Sequence, residues 1–328
     1  MNVLIIGGGG FLGQKLAKAL AARGSSRGKA ISKLTLADLA APAPVEAPFP
    51  VDASAVDITE AAQLGPLMQE RPDVIYHLAA IVSGQAEAEF DLGMRVNLFG
   101  SANVFEAARA LGSAPIVVFT SSIAVYGGEV PDPIEDWTHL NPQTSYGAQK
   151  AAAEVLLNDF SRKGFFDGRA LRLPTISVRP GKPNKAASSF MSSIFREPLQ
   201  GQEAVCPVSP DYEHWFLSPR RCIENLIIAA EIPAEAWGEN RCIMLPGRTY
   251  AIGAMVEAMR RVAGDAPAAL IRWEPDPRLQ SIVLGWKAHF NPVKALRLGF
   301  RRDDSFEDNI RYFLEDDINP TLRSGESL

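Results

Sequence analysis

The sequence predicts an α/β fold, a doubly wound parallel sheet with a smaller C-terminal α/β region, and three observations carry that reading. Residues 2–6 and 115–120 are short, almost continuously apolar runs, as strands are when helices cover both faces of a parallel sheet. Between such runs lie segments with apolar residues at helical spacing, among them Leu16, Ala19 and Leu20, so strands and helices alternate. The first run passes straight into Gly7-Gly8-Gly9-Gly10-Phe11-Leu12-Gly13 and then into a helix. Glycines there permit a tight turn and let backbone N–H groups approach an anion at the helix N-terminus. The sheet is therefore expected to be of the Rossmann type, with Gly7, Gly10 and Gly13 cradling a pyrophosphate; a ligand-free tight turn is the alternative.

Taken in order, the next strand covers 33–37 and ends on Asp38. A carboxylate there accepts hydrogen bonds from ribose hydroxyls and repels a 2′-phosphate, which favours NAD over NADP. Asp38 lies farther from the third glycine than the usual spacing, and residues 24–30 read as an inserted polar loop that accounts for the excess; a surface aspartate is the alternative. Residues 42–50 form a proline-rich connector. Residues 56–59 then read as a strand end entering a helix, where Asp57 either meets adenine or caps the helix. A strand over 73–80 exits through small residues, and the helix after it carries Asn97 within an apolar set, as a structural amide or a relay member. The strand over 115–120 ends on Ser121-Ser122, at the strand ends where doubly wound sheets bind ligands.

A Gly/Pro-rich loop then leads to Ser145-Tyr146-Gly147-Ala148-Gln149-Lys150, capped by Thr144 or Ser145. Tyr146 and Lys150 stand at i and i+4, neighbours on one helix face. An ammonium about 5 Å from a phenol in a medium of dielectric about 20 is worth roughly 3 kcal/mol, so Lys150 is expected to lower the Tyr146 pKa by about two units. An exposed pair on an ordinary amphipathic helix is the alternative. A sixth strand covers 170–173 and reaches Pro174-Thr175. Beyond it follow a basic loop from Arg179, helices over 186–195, up to about 230 and over 251–262, strands at 205–208 and 270–273, and a frayed tail at 321–328.

With 328 residues the chain has room for two lobes, expected at 1–174 for the dinucleotide and 175–328 mainly for substrate, some later segments returning to the first. A formal charge of −5 without any Lys/Arg run argues against nucleic acid or an anionic membrane as partner. The three cysteines and four histidines are scattered, so neither a disulfide framework nor a metal site is expected. No apolar run approaches the roughly 18 residues of a membrane span and the chain opens on a strand, which reads as cytoplasmic.

Gly7-x-x-Gly10-Phe11-x-Gly13, Asp38, Ser121-Ser122 through Tyr126-Gly127, Tyr146-x-x-x-Lys150 and Arg179-Pro180-Gly181 occur in one order. Together they resemble the extended short-chain dehydrogenase/reductase family of NAD-dependent epimerases, dehydratases and dehydrogenases. Residues 171–175, 179–184 and 187–190, with Arg196-Glu197-Pro198-Leu199 and Cys206-Pro207-Val208, resemble its D-erythronate dehydrogenases, which oxidise the C2 hydroxyl of a four-carbon sugar acid. The resemblance implies Tyr146 as base, Lys150 as its pKa modulator and nicotinamide-ribose contact, and Ser122 as the bond to the substrate oxygen. It implies a cofactor surface of Gly7, Gly10, Phe11, Leu12, Gly13, Asp38, Asp57, Ile58, Leu78, Ala79, Ala80, Asn97, Tyr146, Lys150 and Pro174. A sugar acid needs a cation for its carboxylate, and Arg179, Lys182 and Arg220 are candidates, Arg179 alternatively as a structural ion pair. Ser83 and Asn184 are candidate hydroxyl contacts or loop stabilisers. A nucleotide-sugar epimerase or dehydratase with tightly bound NAD is the competing activity. Helices at 86–111 and 148–161 correspond to those through which relatives pair as dimers; their apolar faces are compatible with a homodimer, and burial against the sheet is the alternative that explains the same residues.

Overall fold

The computed structural model describes residues 1–181 and 187–319. Its strands are β1 (Asn2–Ile6), β2 (Lys33–Asp38), β3 (Val51–Ala55), β4 (Val74–His77), β5 (Ile116–Ser122), β6 (Asp167–Leu173), β7 (Thr175–Ile176), β8 (Glu213–Leu217), β9 (Cys242–Met244) and β10 (Arg248–Ala251), besides shorter pairings. Seven of them form a sheet in the order β9-β6-β5-β4-β1-β2-β3, with every neighbouring pair parallel. This is the doubly wound Rossmann order extended by β9 at one edge. The order reverses between β1 and β4, so their carboxyl ends open a crevice.

Helices α1 (Phe11–Arg23), α2 (Ala61–Gln69), α3 (Ser101–Ala110), α4 (Ser145–Arg162), α5 (Phe190–Arg196), α6 (Pro219–Glu231), α7 (Ile252–Ala263) and α8 (Phe306–Phe313) supply the layers. Side chains alternate along each strand, so Val3 and Ile5 meet Leu16 and Leu20 of α1 and Leu226 of α6 on one face. Leu4 and Ile6 share the other face with Leu64 of α2, Phe105 of α3 and Leu157 of α4. α6 and β9 both lie beyond residue 175 and yet complete the first sheet. The second region is a three-stranded sheet, β7-β8-β10, with its own core of Phe190, Phe195, Phe216, Met255 and Phe306.

Local differences from the sequence reading have physical causes. The loop at 24–30 contains a two-stranded hairpin, Ser25–Ser26 against Lys29–Ala30, turning through Arg27 and Gly28 at φ 53° and 69°. Two successive positive φ values are the signature of the hairpin turn whose twist matches its strands. The helix expected at 86–111 is broken into Ser83–Ala88, Phe90–Gly93, a π-helical stretch Met94–Gly100, and α3. The helix expected from 186 begins with a 3₁₀ turn at Ala187–Ser189 before α5, and the strand expected at 205–208 is Ala204–Cys206, paired with Ile271–Trp273.

Candidate active site

A cavity of about 290 Å³ lies where the carboxyl ends of β4, β5 and β6 meet the start of α1. Phe11 and Leu12 enter it from the glycine turn, Leu78, Ala80 and Ser83 from the segment after β4, and Ser122 from the end of β5. Tyr146 and Lys150 reach it from α4, and Pro174 from the exit of β6. The C-terminal region closes it with Arg179, Ser188, His214, Trp286 and Lys287.

The start of α4 places the tyrosine. Thr144 caps the helix, its hydroxyl accepting from the Gly147 N–H at 3.1 Å. A Cβ on Gly147 would overlap the carbonyl oxygen of Ala124, so glycine alone lets the first turn settle against the 3₁₀ turn Ile123–Val125. One turn on, Lys150 is 1% exposed, donates to the Thr120 carbonyl at 2.9 Å and lies 4.6 Å from the centre of the Phe119 ring. Its Nζ is 5.8 Å from the centre of the Tyr146 ring.

The electrostatics differ from the sequence expectation that Lys150 lowers the Tyr146 pKa. Burial pushes Tyr146 up to about 12, and a hydrogen bond with the Ser122 side chain pulls it only part of the way back. Burial also draws Lys150 down to about 7 against the opposing field of Glu154, so at neutral pH only part of the population carries the charge. Desolvation outweighs the Ser122 hydrogen bond at Tyr146 and the Glu154 field at Lys150, and spacing on a helix says nothing about desolvation. Behind them a buried joint fixes the helix: Arg172 of β6 donates to both carboxylate oxygens of Glu154 on α4, at 2.6 to 3.1 Å, and to the Tyr126 hydroxyl at 2.5 Å.

The glycine turn fits a dinucleotide. Gly7 has φ of +90°, with space for a Cβ blocked by the Ala79 backbone nitrogen at 2.6 Å, and a Cβ on Gly13 would overlap the Gly7 carbonyl oxygen. With Gly10 between them, the turn puts no side chain over the N-terminus of α1, while its own N–H groups at 7, 8 and 10 are held by the carbonyls of Ala37 and Gly7. Asp38 accepts from the Gly9 N–H at 2.9 Å, which draws the end of β2 against this turn. Gly7, Gly10, Gly13, Asp38, Asp57, Ile58, Ala79 and Asn97 stand outside the cavity wall. Asp57 neither caps α2, which starts at Ala61, nor stays free: it accepts from the backbone and hydroxyl of Thr59 at 2.9 and 2.8 Å. Ile58 is buried and packs where Gly100 leaves room. Asn97 is buried, holds the Ile81 backbone N–H at 2.9 Å and donates to Gln149 at 2.9 Å, so its amide is spent on structure.

Among the cations, Arg179 faces the cavity and Arg220 does not. No carboxylate among the described residues pairs with Arg179; its guanidinium donates to the Ser188 carbonyl at 3.0 Å and hydroxyl at 3.2 Å, and burial beside Arg196 draws its pKa down to about 10. Arg220 is corrected: Glu315 and Asp316 hold its guanidinium, which stacks 4.0 Å from the centre of the Tyr312 ring. Those partners follow it by some 95 residues, beyond any local signal. Lys182 and Asn184 lie outside the described residues. Thr175, Ser188, His214, Trp286 and Lys287 were not singled out as site residues from sequence; Ser188 falls within the run that carried the resemblance, whereas nothing local marks His214.

The NAD dependent epimerase/dehydratase family model matches residues 3–214. The chain belongs to that family. NAD is the cofactor of this family of oxidoreductases, in keeping with the glycine turn and Asp38. A D-erythronate dehydrogenase of Cupriavidus necator is 51% identical over 320 residues, 96% of this chain and 98% of that protein. Another from Haemophilus influenzae is 43% identical over 97% of this chain and all of its own length. The solved structure of a nucleoside-diphosphate-sugar epimerase from Agrobacterium tumefaciens superposes with a TM-score of 0.93 at 48% identity, covering 96% of this chain and 94% of its own. Among the described residues no helix is long and apolar enough to cross a membrane.

Proposed function

We propose that the enzyme oxidises the C2 hydroxyl of D-erythronate to 2-dehydro-D-erythronate with NAD, and that Tyr146 is the general base. The observation that carries this reading is Arg179, a half-buried guanidinium that faces the same cavity as Tyr146 and Ser122 and has no carboxylate of its own among the described residues. A carboxylate substrate supplies the missing partner in the geometry a guanidinium favours. The two D-erythronate dehydrogenases that match almost end to end support the same substrate.

Ser122 donates to the C2 oxygen and holds it beside Tyr146, which takes the hydroxyl proton. Tyr146 rests as the phenol at neutral pH, so its proton passes to solvent water before it acts as base, and a positive charge nearby, such as an ammonium at Lys150, favours that release. NAD, when bound, supplies the hydride acceptor and a cationic ring in the same pocket. Gly7, Gly10 and Gly13 hold its pyrophosphate, Asp38 its adenosine ribose, and the backbone after Pro174 its carboxamide.

Mixing the enzyme with NAD and D-erythronate should accumulate NADH, and Tyr146→Phe should cut turnover by roughly 10²- to 10⁴-fold while NAD still binds. The Agrobacterium epimerase favours a second reading. Stoichiometric NAD that never exchanges, with no NADH from any sugar acid, would replace the dehydrogenase by that one. Two features support a homodimer in the cytoplasm. Phe99 and Val155 are 55% and 64% exposed on helices of the same sheet face, and the three cysteines are free and buried, as a reducing compartment allows.

A further inference from the structure

The cavity contains a polar pair, one member buried and the other half-buried, to whose side chains the reaction just described gives no task. Thr175 begins β7, and the parallel register Thr175↔Phe216 brings His214, two residues upstream on β8, to the same side. His214 Nε2 lies 2.8 Å from Thr175 Oγ1. The imidazole is 2% exposed and wedged among Tyr212, Phe216 and Trp286, at ring-centre distances of 6.3, 5.4 and 5.3 Å. Its Nδ1 is buried without a hydrogen-bond partner among the described residues.

That unpartnered nitrogen favours one direction of the bond. Burial holds the ring neutral, so one nitrogen carries the proton and the other a lone pair. An orphaned buried N–H is rarer in proteins than an under-used acceptor. That favours the tautomer with the proton on Nε2, donated to Thr175 Oγ1, which leaves Nδ1 the bare acceptor. The hydroxyl of Thr175 has one proton of its own to give, and His214 is the one side-chain partner it has among the described residues. Thr175 lines the cavity, so that proton is left for a ligand.

We infer that Thr175 is a specificity-determining hydrogen-bond donor to an acceptor oxygen of the bound sugar acid, and that His214 is the positioning residue whose Nε2–H keeps Thr175 in that polarity. The inference rests on the sugar-acid reading of this cavity. It adds a neutral donor to the charged one at Arg179, and it selects ligands that present a lone pair, disfavouring analogues in which that oxygen is replaced by carbon.

Steady-state kinetics on five variants and a tautomer measurement test it. Thr175→Val should raise KM for D-erythronate roughly 3- to 30-fold with NAD affinity and thermal midpoint kept, and Thr175→Ser should restore it. His214→Leu should raise KM similarly, His214→Gln, which still offers an N–H at that place, should not, and adding His214→Leu to Thr175→Val should change nothing further. In ¹⁵N-histidine NMR, the signal absent from His214→Leu should report the neutral Nε2–H form. An Nδ1–H form or an imidazolium at His214, an unchanged KM in Thr175→Val, or an undiminished His214→Leu effect in the double variant would each overturn the inference. If D-erythronate yields no NADH with the unaltered enzyme, the substrate assignment fails on its own, and the tautomer still decides the role of His214.

Discussion

Lys150 is an ammonium held where an ammonium is unfavourable, and its pH dependence follows. Its folded pKa, drawn down to about 7, lies below the ordinary lysine value, so between about pH 7 and 10 the unfolded chain binds more protons than the folded one. Stability from this group therefore grows as pH rises through that window and is lost as pH falls through 7. Thermal midpoints at pH 7 and pH 9 should show the unaltered enzyme gaining relative to Lys150→Met, and the methionine variant should be the more stable of the two at pH 7 while losing most of its turnover. An equal pH response in both proteins would mean that Lys150 stays charged throughout. At this scale the sequence carried identity and spacing: Tyr146, Lys150 and Ser122 do meet around one cavity. It did not carry the sign of the tyrosine shift, because burial comes from β5 and the chain after β6 rather than from the four residues between the pair.

At the scale of elements, the N-terminus of α4 is set by three contacts, the Thr144 cap, the close approach at Gly147 and the Arg172–Glu154 joint one turn beyond Lys150. Gly147→Ala puts a methyl into the space of the Ala124 carbonyl, and overpacking of that kind costs about 1 to 3 kcal/mol. A fall of several degrees in thermal midpoint is expected, with a larger fall in kcat than in NAD affinity, because the displaced turn carries Tyr146 and not the glycine loop. Unchanged kcat in a folded variant would show that the first turn can move without moving the base. Such elements were legible because their signals are local: a cap, a glycine, an apolar run. The hairpin at Ser25–Ser26 was missed since its turn, Arg27-Gly28, asks a non-glycine residue to take positive φ, and the π-helical stretch around Asn97 answers to a tertiary bond with Ile81.

At the scale of the molecule, one lobe presents the reacting groups and the C-terminal region presents the groups that meet them. The sheet lobe was readable in advance because each βα unit repeats one pattern. The other wall was not, since Thr175, His214 and Trp286 come together only through the β7–β8 pairing and the later loop. Arg220 shows the same limit in reverse, a cation drawn away from the cavity by acids near the far end of the chain. The outward faces of α3, α4 and the π-helical stretch make the remaining prediction. On the proposed homodimer, the unaltered protein should sediment as a dimer and Phe99→Glu, which places a charge on an exposed apolar position, as a monomer; a monomeric unaltered protein would remove the dimer, and a dimer unchanged by Phe99→Glu would remove that face from the interface.

The interleaving of the two lobes along the chain also matters at birth. A ribosome releases the glycine turn, β1 through β6 and the whole of α4 well before it has made α6 or β9. Until residue 244 emerges, the newborn sheet carries one partly bare apolar face and ends on the long strand β6 instead of β9, and bare apolar surface and unpaired strand edges are where unfinished chains stick to one another. Synthesis from the N-terminus thus imposes an interval in which the most recognisable part of the enzyme is also its most adhesive.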